Sequence, residues 1–370
     1  MSVPEADLSR TGHSVVAVCL GIIFVLGFVN NFLVLMLFTR FHFLRTPINL
    51  LLLNISVSDM LVCVFGTPFS FAASVCGRWL TGPHGCRWYG FANTLFGVVS
   101  LVSLAILSYE RCCSILCGSK VDVLDHRKVR LSIAGCWVYS LIWTVPPLFG
   151  WSGYGPEGPG TTCSVRWALR TPESRAYIVC LFIFCLVLPL LTIIFCYGKI
   201  LITVHGAAKV QQTTAQWREG RVLLMVLIMV SCYLLCWLPY GVVALLGTFG
   251  PSGTVSPTAS IIPSVLAKSS TVLNPIIYAF FNKQFYRCFL ALVKCESGSP
   301  SLHTLHKLHT QPSSCTDGSA PNGIALGLYR DPSPADSPKR PHNSGTTTSA
   351  QCSAPQRSNT ALELEARVTP

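Results

Sequence analysis

Seven long stretches of the chain carry no charged residue or only one, and this pattern limits the possible folds more than any other feature. Each stretch reaches the length of about 20 residues that an α-helix needs to cross the hydrocarbon core of a membrane. A charge at mid-membrane costs about 2.5 to 3.5 kcal/mol on insertion scales, so the charged residues mark the limits of the spans. We expect the spans at residues 15–38, 48–72, 88–109, 131–150, 176–198, 222–247 and 256–281.

The composition supports this interpretation. Charged residues make up 11 % of the chain and hydrophobic residues 51 %, whereas soluble domains average about 25 % charged residues. Two soluble domains could not cover their surfaces with so few charges. The sequence therefore predicts an all-α membrane protein, a seven-transmembrane helix bundle over residues 15–281.

The basic residues of the loops orient this bundle. With the amino terminus outside, 14 Lys and Arg residues flank the spans on the cytoplasmic side and six on the outer side, as the positive-inside rule requires. Residues 1–14 then form an extracellular segment. Because Glu5 and Asp7 precede the first apolar run, we expect the first helix to act as a signal anchor. Basic cytoplasmic loops suit anionic lipid and a protein partner better than nucleic acid.

Residues 282–295 suggest an amphipathic helix on the inner leaflet, the eighth helix of the chain. Phe285, Phe289 and Val293 recur every four residues among basic residues, which gives the helix an apolar face. Cys295 at its end is a candidate for palmitoylation, and an unmodified cysteine is the alternative.

Residues 296–370 change in composition to Ser, Thr, Pro and Gly, so we expect a disordered cytoplasmic tail. The tail holds 12 Ser and 8 Thr. Phosphorylation would add about 1.5 to 2 negative charges per site and could recruit a partner protein with a basic surface. An unregulated linker is the alternative.

Two of the 18 cysteines differ from the rest. Most are expected to be small buried hydrophobic residues, but Cys86 and Cys163 both lie on the oxidising outer side. We expect a disulfide between them that holds the outer loop over the bundle. Pro189, Pro239 and Pro275 fall inside the fifth, sixth and seventh spans, where each removes a backbone hydrogen bond and is expected to kink its helix.

Lys268 is the most informative single residue. An ammonium within a span must face the bundle interior and pair with a carboxylate, lose its proton or be consumed covalently. An amine in an apolar pocket is nucleophilic and can form a Schiff base with an aldehyde. A structural ion pair with Asp59 or a role in an ion pathway remains open at this point.

Further motifs close several spans. Glu110-Arg111-Cys112 ends the third span, Cys236-Trp237-Leu238-Pro239 lies in the sixth, and Asn274-Pro275-Ile276-Ile277-Tyr278 ends the seventh. Together with five single residues these resemble the rhodopsin-like class of G-protein-coupled receptors over residues 15–295. The single residues are Asn31, Asp59, Trp137, Pro189 and Tyr197.

Within that class, the chain is similar to opsins. Lys268 lies six residues before Asn274, the spacing at which opsins attach retinal, and the match is closest to the encephalopsin and teleost multiple-tissue opsin group. The stretches Leu44-Arg45-Thr46-Pro47, residues 53–59 and residues 96–100 carry this resemblance. It implies a nonvisual light receptor, not an enzyme, that holds 11-cis retinal in the dark and all-trans retinal after light.

The resemblance also implies where the counterion of the Schiff base lies. Vertebrate visual pigments place a Glu three residues after the third-span cysteine, but here that position is Tyr89, a phenol that is neutral at pH 7. Between Arg130 and Arg166 the one acidic residue is Glu157, in a segment that resembles the lid over retinal. We expect Glu157 to be the counterion and the pigment to be bistable; an exposed loop carboxylate is the alternative.

The remaining motif residues resemble the switch of these receptors. Trp237 would pack against the retinal ring, with a plain apolar filler as the alternative, and Arg111 would pair with Glu110 and with Glu219. Breaking the contact with Glu219 would let the sixth span swing outward and admit a heterotrimeric G protein. Tyr197 and Tyr278 would support the open state, and the family motif also includes Asp59, Asn274 and Pro275. Cys112 occupies the position after Glu110-Arg111 where the family usually has an aromatic residue. This difference puts in doubt how strongly the basal activity of the receptor is silenced.

Two other functions stay open on sequence grounds. A retinal photoisomerase would use the same bundle and Lys268 without signalling, although the intact switch motifs favour a receptor. An ion-coupled transporter would use Asp59 and Lys268, but the chain shows no internal repeat. No metal site, phosphate loop or hydrolytic triad is evident. The expected partners are a G protein, a receptor kinase, arrestin and membrane lipid.

Overall fold

The computed structural model describes residues 8–116, 126–207, 214–251 and 253–293, without the side chains of residues 204–207, 214–219, 257, 283 and 293. Its α-helices are α1 (Arg10–Arg40), α2 (Pro47–Phe65), α3 (Thr67–Cys76), α4 (Gly82–Leu116), α5 (His126–Thr144), α6 (Pro172–Phe182), α7 (Leu188–Ala207), α8 (Thr214–Phe249), α9 (Pro257–Phe281) and α10 (Lys283–Val293). Two strands, β1 (Tyr154–Glu157) and β2 (Thr162–Val165), lie between α5 and α6.

Helices α1 to α9 build the seven spans, because α2 with α3 and α6 with α7 each form one span. Six of the spans are long and apolar enough to cross a membrane by length and composition alone. The seventh, α9, carries Lys268 and many Ser and Thr residues, and it packs against α8, α1 and α2. Polar residues on α9 therefore face neighbouring helices and reduce its mean hydropathy.

Polar side chains and prolines fix where several helices begin. Thr46, Thr171 and Ser256 each accept a hydrogen bond from a backbone N–H of the first turn, and a proline follows each of them, an arrangement favoured at helix starts. Ser9 accepts from the Gly12 N–H in the same way, so α1 begins five residues before the predicted span at residue 15.

The second span is interrupted where the sequence predicts one continuous helix. Helix α2 ends at Phe65 and α3 begins at Thr67, with Gly66 between them. Pro68 lacks an N–H, and its ring would clash with the carbonyl of residue 64 in a regular helix. A side chain at Gly66 would collide with Asn93 of α4, so the break also allows a close approach between these spans.

The fifth span widens before its proline. Residues Ile183–Val187 form one turn of π-helix between α6 and α7. The ring of Pro189 would clash with the Cys185 carbonyl in a regular helix, and the wider turn relieves that clash. Pro239 and Pro275, by contrast, lie inside the continuous helices α8 and α9.

The outer loop between α5 and α6 contains the antiparallel hairpin of β1 and β2, which the prediction of an all-α protein did not include. Gly155 pairs with Ser164, and Pro156 pairs with Cys163. All four residues of β2 are buried, because the hairpin packs down onto α4. The loop thus forms a lid on the outer end of the bundle.

Helix α10 follows α9 after a short turn at Asn282, whose Oδ1 accepts hydrogen bonds from the N–H groups of Gln284 and Phe285. Phe285 and Cys288 are buried, and the Phe285 ring lies 6.4 Å from that of Phe38. The apolar face of the predicted amphipathic segment therefore packs against α1. Cys295 and residues 296–370 lie outside the described residues.

Candidate functional site

A cavity of about 160 Å³ lies beneath the hairpin, inside the bundle. Its walls are mainly aromatic and aliphatic side chains of α4, the fifth span and α8. All four residues predicted to surround the chromophore line this cavity together: Lys268, Glu157, Tyr89 and Trp237.

Lys268 enters the cavity from α9. Its Nζ donates a hydrogen bond to Ser264 Oγ at 3.2 Å and lies 5.8 Å from the centre of the Tyr89 ring. Within the described residues Lys268 does not pair with Asp59, whose two carboxylate oxygens accept from Ser100 and Asn274. The amine is therefore not held by an ion pair with Asp59.

Tyr89 turns its hydroxyl away from Lys268. The Tyr89 Oη is hydrogen-bonded to Ser70 of α3 and, at 3.1 Å, to Thr162 of β2. The side chain is 1 % exposed. Tyr89 therefore presents the face of its ring to the amine, and its hydroxyl ties α4 to the neighbouring span and the hairpin.

Glu157 ends β1 and points into the cavity from above. A disulfide joins Cys86 of α4 to Cys163 of β2, and Cys163 pairs with the neighbour of Glu157 in the hairpin. The carboxylate accepts a hydrogen bond from Tyr240 Oη at 3.3 Å. The Glu157 side chain forms part of the lining of the cavity.

The electrostatics of Glu157 reflect two opposing effects. Burial raises the pKa of Glu157 above its ordinary value of 4.5, while the positive charge of Lys268 and hydrogen bonds from nearby side chains act to lower that pKa. The two groups are thus close enough for the ammonium to favour the ionised carboxylate. The geometry can stabilise a positive charge on the Lys268 nitrogen.

Trp237 forms the wall of the cavity opposite the hairpin. Its ring stacks on Tyr233 at a centroid distance of 5.6 Å, and its Nε1 donates to Ser270 Oγ at 3.2 Å. A Cβ added at Gly97 of α4 would lie 2.8 Å from the Trp237 ring. The absence of a side chain at Gly97 therefore lets the indole reach α4.

Comparisons with known proteins agree with this geometry. Residues 30–278 match the family described as 7 transmembrane receptor (rhodopsin family). Pinopsin from Columba livia is 40 % identical over 82 % of this chain and 87 % of its own length. The chain is an opsin. Opsin-3 from Mus musculus is 36 % identical over 84 % of this chain and 80 % of its own length.

A solved structure supports the same assignment. The crystal structure of squid rhodopsin matches with a TM-score of 0.73 and 28 % identity, covering 85 % of this chain and 97 % of that one. The predicted seven-transmembrane fold and the predicted opsin family, including a relative from the encephalopsin group, are confirmed. The opsin is a light-sensing membrane receptor of a G-protein-coupled class, whose members bind a retinal chromophore.

Polar residues around Asp59, which itself lines the cavity, connect three spans of the opsin. Asn274 Nδ2 donates to Asp59 Oδ2 at 2.8 Å, and Ser100 Oγ donates to Asp59 Oδ1 at 3.1 Å. Pro275 follows within α9, and Tyr278 one turn later is 2 % exposed. Asp59 therefore links the second, third and seventh spans.

At the inner end of the bundle the structure places part of the predicted switch. Glu110 is half-buried and interacts electrostatically with Lys128 of α5. Arg111 interacts electrostatically with Tyr197, whose Oη donates to the Leu223 carbonyl of α8 at 3.0 Å. The side chain of Glu219 lies outside the described residues. The expected pairing of Arg111 with Glu110 and Glu219 stays a prediction.

Three residues at the cavity were missed by the sequence analysis. Tyr240 lies three residues after Trp237, so helical periodicity places both on one face of α8 and could have identified it. Ser264 lies one turn before Lys268 and could have been found in the same way. Trp167, whose Nε1 donates to Tyr240 Oη at 3.1 Å, follows the hairpin and carries no such signal.

Proposed function

We propose that retinal binds in the cavity beneath the hairpin, attached to Lys268 as a protonated Schiff base, and that light thereby opens the inner face to a heterotrimeric G protein. The observation that carries this proposal is that the Lys268 amine and the Glu157 carboxylate line one largely apolar cavity closed by Trp237. When bound, retinal supplies the photoisomerisation, from 11-cis in the dark to all-trans after light.

The residues present fit this chromophore. An aldehyde needs a single amine within an apolar space, and Lys268 is the one lysine that lines the cavity among the described residues. A polyene and its ring need aromatic and aliphatic walls, which the side chains of α4, α6 and α8 with the π-turn that follows α6 supply. A protonated nitrogen in a low dielectric needs a nearby carboxylate.

Glu157 fits the role of counterion better than any other group near Lys268. The Tyr89 hydroxyl is engaged by Ser70 and Thr162, and Asp59 is engaged by Ser100 and Asn274. Glu157 accepts a hydrogen bond from Tyr240 of α8, and the positive charge of Lys268 acts to lower the pKa of Glu157. A counterion in the lid, and not on α4 itself, favours a bistable pigment in which the photoproduct keeps its protonated nitrogen.

Trp237 is positioned to pass the change of shape to α8. Its indole contacts α4 at Gly97 and hydrogen-bonds α9 at Ser270, so displacing it loosens α8 from both neighbours. Tyr197 holds α7 to α8 near the inner end through the Leu223 carbonyl. Loss of the contact between Arg111 and Glu219 would free α8 to move outward and open the cleft on the inner face. Tyr197 and Tyr278 would support this open state.

The organisation of the rest of the chain belongs to the same proposal. Residues 1–14 would be extracellular, residues 15–281 the retinal-binding bundle, residues 282–295 a helix on the inner leaflet, and residues 296–370 a cytoplasmic tail. The tail would bind a receptor kinase and arrestin, and Cys295 would carry a palmitoyl group. The amino terminus would lie outside the cell and the carboxyl terminus in the cytoplasm, because 14 loop cations lie on one side and six on the other.

A spectrum of the purified protein with retinal tests this function. We expect a visible band in the wild type and its absence in Lys268→Ala, while Lys199→Ala, which removes an exposed lysine of α7, keeps it. Light-dependent nucleotide exchange on a G protein is expected with the wild type. No band in the wild type, or the same band in Lys268→Ala, would contradict attachment at Lys268. A band without nucleotide exchange would indicate a photoisomerase.

A further inference from the structure

A second, much smaller cavity lies on the other side of Lys268, between α1, α3, β2 and α9. Its volume of about 10 Å³ is close to the minimum that holds a single water molecule. Its polar walls are the hydroxyl groups of Ser70, Ser74, Thr161, Thr162 and Ser264 together with Lys268. A water needs two to four polar partners, and this cavity offers them.

Ser74 is the residue that points to a ligand. It is 1 % exposed, and its Oγ has no hydrogen-bond partner within the described part of the chain. An unpaired buried hydroxyl costs about 1 to 3 kcal/mol, so such groups are almost always paired with protein or ordered water. Ser70 and Ser264 differ, because their hydroxyls are hydrogen-bonded to Tyr89 and Lys268.

Lys268 stands at the boundary between the two cavities. Lys268, Ser264 and Thr162 line both of them. The large cavity takes the apolar chromophore under the proposed function, so the small cavity meets the Lys268 side chain from a side that the polyene does not occupy. Val16 and Leu20 of α1 and Ile261 and Val265 of α9 form its apolar wall.

We propose that the small cavity binds one water molecule, held by Ser74, and that this water is the nucleophile that hydrolyses the bond between Lys268 and retinal. This inference rests on the proposed function. The water oxygen adds to the imine carbon and becomes the aldehyde oxygen. The carbon–nitrogen bond breaks, and both water hydrogens pass to the already protonated nitrogen, which leaves as the Lys268 ammonium. No oxidant or reductant is required.

The size of the site has a consequence for the pigment. With room for one water and apolar side chains on one wall, a second water cannot readily assist proton transfer, and hydrolysis in the dark is slow. Attachment of retinal releases one water by the reverse reaction, and the same cavity receives it. Ser74 is therefore a positioning residue for a water and does not itself touch the chromophore.

The test compares two valine variants on the same helix. Ser74→Val fills the small cavity and removes the hydroxyl, whereas Thr67→Val removes another buried, unpaired hydroxyl of α3 that lines neither cavity. We expect loss of the visible band in the dark to slow by about fivefold in Ser74→Val and by less than about twofold in Thr67→Val. Ser74→Ala removes the hydroxyl without adding volume and should slow loss of the visible band by about twofold. It replaces Ser74→Val in the test if the valine variant does not fold.

A readout without retinal separates the two proposals. An experimental map of the retinal-free protein should show a water within hydrogen-bond distance of Ser74 Oγ in the wild type and none in Ser74→Val. Wild-type hydrolysis rates in both Ser74 variants, or an empty map at Ser74, would overturn the water site. A wild type without a visible band would overturn the proposed function, while the map would still decide whether the water binds.

Discussion

Tyr240 Oη of α8 donates a hydrogen bond to Glu157 Oε2 of the hairpin at 3.3 Å. The ring of Tyr240 also meets that of Trp237, edge to face, at a centroid distance of 6.1 Å. Helix α8 therefore carries Trp237, the residue proposed to sense the shape of the chromophore, and contacts Glu157, the residue proposed to balance its charge. A movement of α8 that displaces Trp237 also alters the hydrogen bond to Glu157.

Glu157→Gln should move the absorption of the pigment into the ultraviolet near neutral pH. Loss of the opposite charge lowers the pKa of the retinal-linked nitrogen by about 1 to 3 units, because a nearby negative charge favours the protonated form. The measurement is the absorption spectrum as a function of pH. Glu173→Gln changes an exposed carboxylate in the first turn of α6 and should leave the spectrum unchanged. An unshifted visible peak in Glu157→Gln would remove Glu157 from the role.

The retinal-free protein should lose stability as the pH rises above about 4.5. Burial raises the pKa of Glu157 above that ordinary value, so between the two values the folded chain binds more protons than the unfolded chain. The free energy of unfolding then falls with rising pH until the raised pKa is passed. Thermal midpoints of the wild type and Glu157→Gln across this range measure the effect. Equal slopes in both proteins would show that Glu157 does not titrate in this way.

Gly97→Ala should destabilise the protein by about 1 to 3 kcal/mol, because the new methyl group would lie 2.8 Å from the Trp237 ring. Gly135→Ala on α5 is the matched control, since a methyl group there meets no atom within 4 Å. That variant should be unchanged or up to about 1 kcal/mol more stable through helix propensity. Thermal unfolding and Trp fluorescence report both effects, and an equal response of the two variants would argue against close packing at Gly97.

Cys163→Ala should lower stability by about 2 to 4 kcal/mol, since the disulfide closes a long segment of chain. The bond joins residues 77 positions apart and anchors the hairpin to α4. Without it we also expect a lower yield of pigment, because Glu157 is no longer held above Lys268. Cys76→Ala, which removes an exposed free cysteine, should retain wild-type stability and yield. Normal pigment from Cys163→Ala would separate the position of Glu157 from the disulfide.

The bundle could be predicted from the sequence because burial of charge in a membrane is so unfavourable. Few charges interrupt the apolar stretches, and the two exceptions, Asp59 and Lys268, had to face a cavity or a partner. The prolines identified places where helices are disturbed, but not how. At Pro189 the chain forms a π-turn, whereas Pro239 and Pro275 leave their helices continuous. The difference depends on packing against neighbouring spans, which a single segment does not encode.

The arrangement around Glu157 was harder to predict. Residues 154–157 contain Gly and Pro, which are uncommon in strands, yet they pair with residues 162–165. Both strands pack on α4, and the disulfide ties β2 to that helix. Tyr240 shares a helical face with Trp237, but its contact with Glu157 depends on how the hairpin docks. Long-range contacts of this kind follow from tertiary packing and not from local pattern.

The pairing of β1 with β2 makes the proposed charge balance depend on strand register. Successive side chains of a strand point to opposite faces, so a slip by one residue would turn Glu157 away from Lys268. Pro156 is the partner of Cys163, so the disulfide ties the strand that pairs beside Glu157 to α4. Insertions of one residue within either strand should therefore abolish visible absorption, whereas insertions between Gly158 and Thr161 should be tolerated. The wavelength that this opsin absorbs would therefore depend on the register in which β1 and β2 pair.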